Sequence, residues 1–214
     1  MAQNDLTQGS ITGNISRFSL PYMLSYFLQI LYGLADMFVI GQYCGVDSTT
    51  AVANGAQIMH MFTVILIGLA MGTTVRLGRA IGAKDKNEAS KTIGNTFTLF
   101  ALTAIVATFI LLLANRSIVS MIDTPPEAVK GTIAYLRICF IGIPFIIAYN
   151  IIASIFRGLG DSKSPMYFVI VACVANIVLD YIFIGHFGLG PSGAALGTTL
   201  SQMISVIIAA IVIR

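Results

Sequence analysis

Six stretches of this 214-residue chain carry no Asp, Glu, Lys or Arg: 18–35, 48–75, 92–115, 138–156, 164–179 and 181–213. Each approaches or exceeds the roughly 20 residues that cross bilayer hydrocarbon as a helix, allowing about 17 to 25 for tilt. Charged residues make up 10% of the chain and hydrophobic ones 57%, whereas a soluble domain carries roughly 25% charged residues. A spanning sheet would have to close into a barrel of roughly ten-residue alternating strands. The runs here are continuous and longer, with apolar residues on every face. The sequence therefore predicts an all-α integral membrane protein with six transmembrane helices, near 17–42, 50–75, 92–114, 132–156, 164–185 and 193–213. Residues 1–16 read as a polar cytoplasmic leader. With no basic region and too long an apolar run behind it, that leader does not fit a cleaved signal, and the first span is expected to stay.

Positive charge orients the bundle. With the amino terminus cytoplasmic, Arg17, Arg76, Arg79, Lys84, Lys86, Lys91, Arg157, Lys163 and Arg214 lie inside, while only Arg116, Lys130 and Arg137 lie outside. The bias of Lys and Arg toward the cytoplasm then predicts a multi-pass cell-membrane protein with both termini inside. The formal net charge of +3 follows from this asymmetry, so no nucleic-acid surface is expected. The second connection, 78–91, has the alternating charge of a helix-turn lying at the membrane surface. Asp123-Thr-Pro-Pro-Glu127 should stop one helix and start another, and the glycine-rich 185–193 should deliver the chain into the last span. Small residues four apart, at Gly41/Gly45, Gly68/Gly72 and Gly193/Gly197, suggest close helix approach. Pro21 and Pro144 mark positions for a bend, static or hinged.

Within this apolar background stand two carboxylates, Asp36 and Asp180. Burying a charge near the bilayer centre costs roughly 2.5 to 3.5 kcal/mol on insertion scales, so such residues face a bundle interior or an aqueous cavity. Asn176 and Asp180 are i and i+4 on one helix face, able to offer two oxygen ligands to one small cation. Tyr32 and Gln29 continue the Asp36 stripe on the first span. Thr198, Gln202 and Ser205 make a third stripe on the last. Asn54 and Gln57 on the second span are further candidates for lining the same cavity. Each polar residue has a plainer reading as hydrogen-bonding glue between helices, worth about 0.6 kcal/mol. That reading suits Gln202 and Ser205 and does not explain a carboxylate. His60 reads as a buried imidazole rather than a proton relay, and Met59, Met61, Met71 and Phe62 as packing or lipid-facing residues that could also form an adaptable wall.

Enzyme signatures are weak. Gly188-Leu-Gly-Pro-Ser-Gly193 matches G-x-G-x-x-G but joins two membrane helices, without the strand that a dinucleotide site needs. No P-loop lysine, HExxH or GxSxG is present. Gly158-Leu-Gly-Asp161 reads as the GxGD of membrane-embedded aspartyl proteases, yet Asp161 lies between Arg157 and Lys163 in a cytoplasmic turn. Cys44, Cys139 and Cys173 show no metal or disulfide spacing. The protein is not expected to be an enzyme.

Four motifs carry a family likeness: Arg157-Gly-Leu-Gly-Asp-Ser-Lys-Ser-Pro165, Gly82-Ala-Lys-Asp with Ala89 downstream, Asn176-x-x-x-Asp180, and Gly193-Ala-Ala-Leu-Gly-Thr198. In order and spacing the chain, from about Thr7 to Arg214, resembles the amino-terminal lobe of multidrug and toxic compound extrusion (MATE) transporters. The resemblance implies a Na⁺- or H⁺-coupled antiporter exporting cationic or amphipathic organic compounds, with no cofactor beyond the coupling ion. It maps a cation-binding site, for Na⁺ if a metal ion is used, onto Asp36, Asn176, Asp180 and Thr198. It also implies a partner for this lobe, either a second six-helix lobe or a second copy of the chain. A related flippase for lipid-linked saccharides is the neighbouring alternative.

Overall fold

The computed structural model describes residues 10–213. The leader's residues 1–9 and Arg214 lie outside them. The elements are α1 (Ile11–Tyr43), α2 (Val46–Gly82), α3 (Lys86–Met121), α4 (Pro126–Ile141), α5 (Ile143–Gly158), α6 (Lys163–Asp180) and α7 (Pro191–Ile213), and Tyr181–His186 continues α6 as a π-helical segment. Five helices are each long and apolar enough to cross a membrane, and α4 with α5 makes a sixth crossing bent by 51°. The described residues thus form an all-α bundle of six spans, the bent pair counted as one, as the apolar runs require.

Helix ends follow local chemistry. Ser10 begins α1 by accepting the Gly13 amide through Oγ, which brings helix into part of the expected leader. Asp85 accepts the amides of Asn87 and Glu88 and starts α3; a carboxylate there satisfies orphan donors and meets the positive end of the helix dipole. The helix-turn expected over 78–91 is thereby the junction of two spans, with no separate helix of its own. The two spans simply lengthen, α2 to Gly82 and α3 back to Lys86, and residues 83–85 suffice to turn between them. Pro126 opens α4 at a position where its missing N–H costs nothing.

The fourth span breaks at Gly142, where Ile143 and Pro144 begin α5. A side chain on Gly142 would meet Thr199 of α7 at 2.5 Å, so the backbone approaches α7 closely at the bend. α5 is the central element. Twelve of its 16 residues are buried, and Ile143, Ile147 and Ile151 pack with Phe140, Leu136, Leu66 and Leu77 in the main core. α3 is the opposite case, with Leu113 and Phe109 exposed on its outer face.

Close approach is found at one of the three glycine pairs the four-residue spacing pointed to. Cβ atoms built on Gly41, Gly45, Gly68 and Gly72 would meet nothing within 4 Å, and only Gly193 and Gly197 of those pairs face crowded neighbours. Further tight contacts lie at unpaired glycines, such as Gly158 against Leu77 and Gly131 against Ala51. Polar ties add to the packing. Ser154 Oγ donates to the Ala70 carbonyl at 2.5 Å and lies 2.6 Å from Thr74 Oγ1, joining α5 to α2. Ser205 Oγ donates to the Phe168 carbonyl at 2.9 Å, joining α7 to α6.

Candidate functional site

α6 packs between α1 and α7, and this sets the geometry of the polar residues. Asp36 is four residues into the last third of α1, at a depth where α1 has Val39 and Ile40 in the core. Asn176 and Asp180 present one face of α6 and are fully buried, at 0% exposure. Gly197 of α7 lies against that face so tightly that a Cβ there would collide with Asp180 Oδ1. A glycine at 197 is therefore what lets the α7 backbone close over the acid. One residue on, Thr198 Oγ1 donates to Asp36 Oδ2 at 3.2 Å.

The Asp36 carboxylate also faces the side chains of Asp180 and Asn176. The four residues selected as a cation site, drawn from three helices and up to 162 positions apart, therefore stand together. Asp36 Oδ1, both Asp180 oxygens and both polar atoms of the Asn176 carboxamide are buried without a hydrogen-bond partner. Buried polar atoms without partners are costly, and two adjacent carboxylates repel unless a positive charge joins them. A small hard cation satisfies oxygen donors of this kind, as does a proton shared between the carboxyls. Among the described residues no group of three or more His, Cys, Asp or Glu gathers to hold a transition metal. The donor set is two carboxylates, one amide and one hydroxyl.

On its other side Asp36 lines a cavity of about 340 Å³ between α1, α2, α4, α5 and α7. Gln29, Tyr32, Thr198 and Gln202 line it, as the stripes predicted, whereas Asn54 and Gln57 do not. Asn54 is half-buried elsewhere and Gln57 is exposed, because α2 turns its other face, with Ala56, Met59, His60 and Thr63, toward the cavity. His60 is exposed at that wall rather than buried, which corrects its reading as a core imidazole. Met59 lines the cavity, while Met61 and Met71 face outward. Asn176 and Asp180 do not reach the cavity; Asp36 alone of the acid pair borders both compartments.

Sequence reasoning missed the aromatic and amide walls contributed by Tyr26, Tyr135, Tyr149 and Asn150. Asn150, a lone amide in an apolar run, was the one readable signal among them. It also missed the π-helical turn that begins right after Asp180. Such segments interrupt an α-helix and occur often at functional sites. The free cysteines show no joint role: Cys139 lines the cavity and Cys173 is buried on α6. Asp161 is committed elsewhere. It accepts the amides of Lys163 and Ser164 and bonds the Ser164 hydroxyl at 2.5 Å, capping α6.

Residues 21–182 match the MatE family model. The chain is 31% identical over 209 residues to "Probable multidrug resistance protein YoeA" of Bacillus subtilis (strain 168), covering 96% of this chain and 45% of that protein. It is 26% identical over 202 residues to "Multidrug export protein MepA" of Staphylococcus saprophyticus, covering 92% of this chain and 44% of that one. A solved MOP superfamily transporter from Pyrococcus furiosus, described as having a binding pocket of reverse polarity that suggests a different function, superimposes with a TM-score of 0.91 at 31% identity. The match covers 98% of this chain and 46% of that one. A crystal structure of MATE in the bent conformation gives the same TM-score at 32% identity, with 98% and 47% covered. The chain spans about half the length of the relatives it matches.

Proposed function

This chain belongs to the MatE family, whose members are membrane transporters and not enzymes, and from that premise we propose that it is one lobe of a cation-coupled antiporter exporting cationic or amphipathic organic compounds. The observation that carries the reading is the buried Asp36–Asp180 pair with its unpartnered oxygens. Asp36 gives the coupling its physical form. An organic cation in the cavity is held by a negative Asp36, and a Na⁺ or H⁺ taken up between Asp36, Asn176, Asp180 and Thr198 neutralises that charge. The two occupants then compete for one carboxylate, so inward movement of the ion releases the compound. Tyr32, Tyr135 and Tyr149 supply flat faces for an aromatic or quaternary ammonium group.

Six helices form one wall of a transport pathway, and rocking of one repeat against another is how such bundles alternate access. A second six-helix lobe, or a second copy of this chain in parallel orientation, supplies the opposing wall in this reading. The basic turn between α2 and α3 faces the cytoplasm, as do both termini. The names of the relatives, multidrug resistance and multidrug export, support drug export as the activity.

The saccharide flippase is the weaker reading, because a lipid-linked pyrophosphate calls for a basic cavity and this one is bordered by Asp36. The protease reading loses its reactive group, since Asp161 caps a helix. The test is efflux by a complete transporter carrying this lobe. Asp180→Asn should abolish Na⁺- or H⁺-driven dye efflux while insertion and expression stay at the unmutated level; undiminished efflux from that variant would refute the assignment.

A further inference from the structure

The cavity beside Asp36 has two ends of different character. α1 ends at Tyr43 and α2 starts at Val46, so the two helices run antiparallel out of a short turn. His60 of α2 and Gln29 of α1 lie equally far along their helices from that turn, whereas Asp36 stands about 10 Å nearer to it at 1.5 Å per residue. Asp36 and His60 both line the cavity. Accessibility separates them: Asp36 is 6% exposed, while His60 and its neighbour on the wall, Tyr26, are exposed. The cavity is open at the His60 end and closed at the Asp36 end, so a guest reaches the carboxylate past the imidazole.

His60 is also uncommitted. Among the described residues it has no hydrogen-bond or ion-pair partner. Histidine is the side chain whose charge ordinarily changes between pH 5 and 8. The titratable groups facing it across the cavity are Tyr26, Tyr32 and Asp36 from α1, Tyr135 and Cys139 from α4, and Tyr149 from α5. α7 brings none, and α3 lines no part of the cavity and carries no charged residue from 92 to 115. Phenols and thiols stay uncharged at neutral pH and below. The charge of the wall is therefore set by two groups: Asp36 attracts a cation, and His60 is silent when neutral and repels one when protonated. Unit charges roughly 10 Å apart at an effective dielectric constant of about 20 alter an equilibrium by about tenfold.

We propose that His60 is a specificity-determining residue of this cavity, admitting organic cations while its imidazole is neutral and excluding them once it carries a proton. The inference rests on the reading of the cavity as the seat of an organic cation, and adds a control separate from the ion taken up at the acid pair. Neutralising Asp36 removes the attraction at the closed end. Protonating His60 places a like charge at the entrance.

The test is binding of rhodamine 6G, a dye of fixed positive charge, to the purified 214-residue chain in nonionic detergent, followed by fluorescence anisotropy between about pH 8 and about pH 5.5. Affinity of the unmutated chain should fall with acidity by about tenfold more than that of His60→Gln. Titration of the acid pair lowers both alike, so the gap between the two profiles belongs to His60. His60→Lys, charged throughout, should bind weakly across the range, and carries the test if His60→Gln fails to fold. Met61→Leu, on the outward face of α2, should follow the unmutated profile. Coincident profiles for the unmutated and His60→Gln chains, or full-strength binding by His60→Lys, would overturn this inference and leave the cation-site reading standing. No dye binding by the unmutated chain at any pH would refute that reading, and this inference with it.

Discussion

At the residue scale the decisive interaction is Asp36 with Thr198, because it links a cavity wall to a buried acid. The hydroxyl is one of several oxygen donors and is more replaceable than a carboxylate. Thr198→Ala should therefore weaken cation binding by about tenfold, the loss of one hydrogen bond to a charged group, where Asp180→Asn removes it. Isothermal titration of the purified chain with Na⁺ separates the two outcomes. Gly197 is the stricter position. A methyl there collides with Asp180 Oδ1, so Gly197→Ala should cost roughly 1–3 kcal/mol of stability, as overpacking does, and should lower cation affinity although no ligand atom is deleted. Thermal unfolding in detergent with and without Na⁺ checks both effects. The two aspartates and Asn176 were legible because polar atoms in an apolar run need an explanation. Gly197 was legible only as a spacing, and its role against Asp180 depends on how α7 meets α6.

At the element scale the fourth crossing shows how packing bends a helix. Gly142 lets the α4–α5 junction approach Thr199 of α7, and Pro144 at the start of α5 cannot donate to the preceding turn. Gly142→Ala should destabilise the bundle by about 1–3 kcal/mol, and Thr199→Gly should recover part of that loss, since the clash is between these two positions. A double-mutant cycle read by thermal unfolding measures the coupling, and strict additivity would contradict it. Pro144 announced a bend in the sequence. Its angle and the contact that holds it did not appear there, because they depend on the position of α7, more than 50 residues later. The π-helical turn after Asp180 was silent for the same reason: its residues, Tyr181–His186, are ordinary membrane residues whose register is set by neighbouring helices.

At the scale of the whole molecule, the cavity bordered by Asp36 is walled by five helices of one bundle, while transport needs a wall that moves against another. The 214-residue chain reconstituted as a monomer should bind the coupling ion but carry no dye down a Na⁺ or H⁺ gradient. Efflux should appear when a second six-helix lobe is co-reconstituted or when the chain forms a parallel dimer. Proteoliposome efflux with the oligomeric state measured in parallel decides the matter, and robust efflux by a demonstrated monomer would defeat the prediction.

What the sequence by itself determined was the class of fold and which carboxylates are buried in the bundle. Helices that must satisfy every backbone group inside lipid leave one reading for six long uncharged runs, and the cost of burying a carboxylate marks Asp36 and Asp180 whatever their neighbours are. Only the tertiary structure decided which face each helix turns inward. It took Gln57 out of the cavity and put His60 and Tyr149 at its wall, kept close contact at one glycine pair of three while adding it at unpaired glycines, and gave Asp161 to a helix cap. The reason is that lipid is as apolar as the bundle interior. Hydrophobic periodicity, which tells inside from outside in a soluble protein, is nearly erased in a membrane helix. The inward face is then chosen by packing and by polar contacts between residues far apart in the chain.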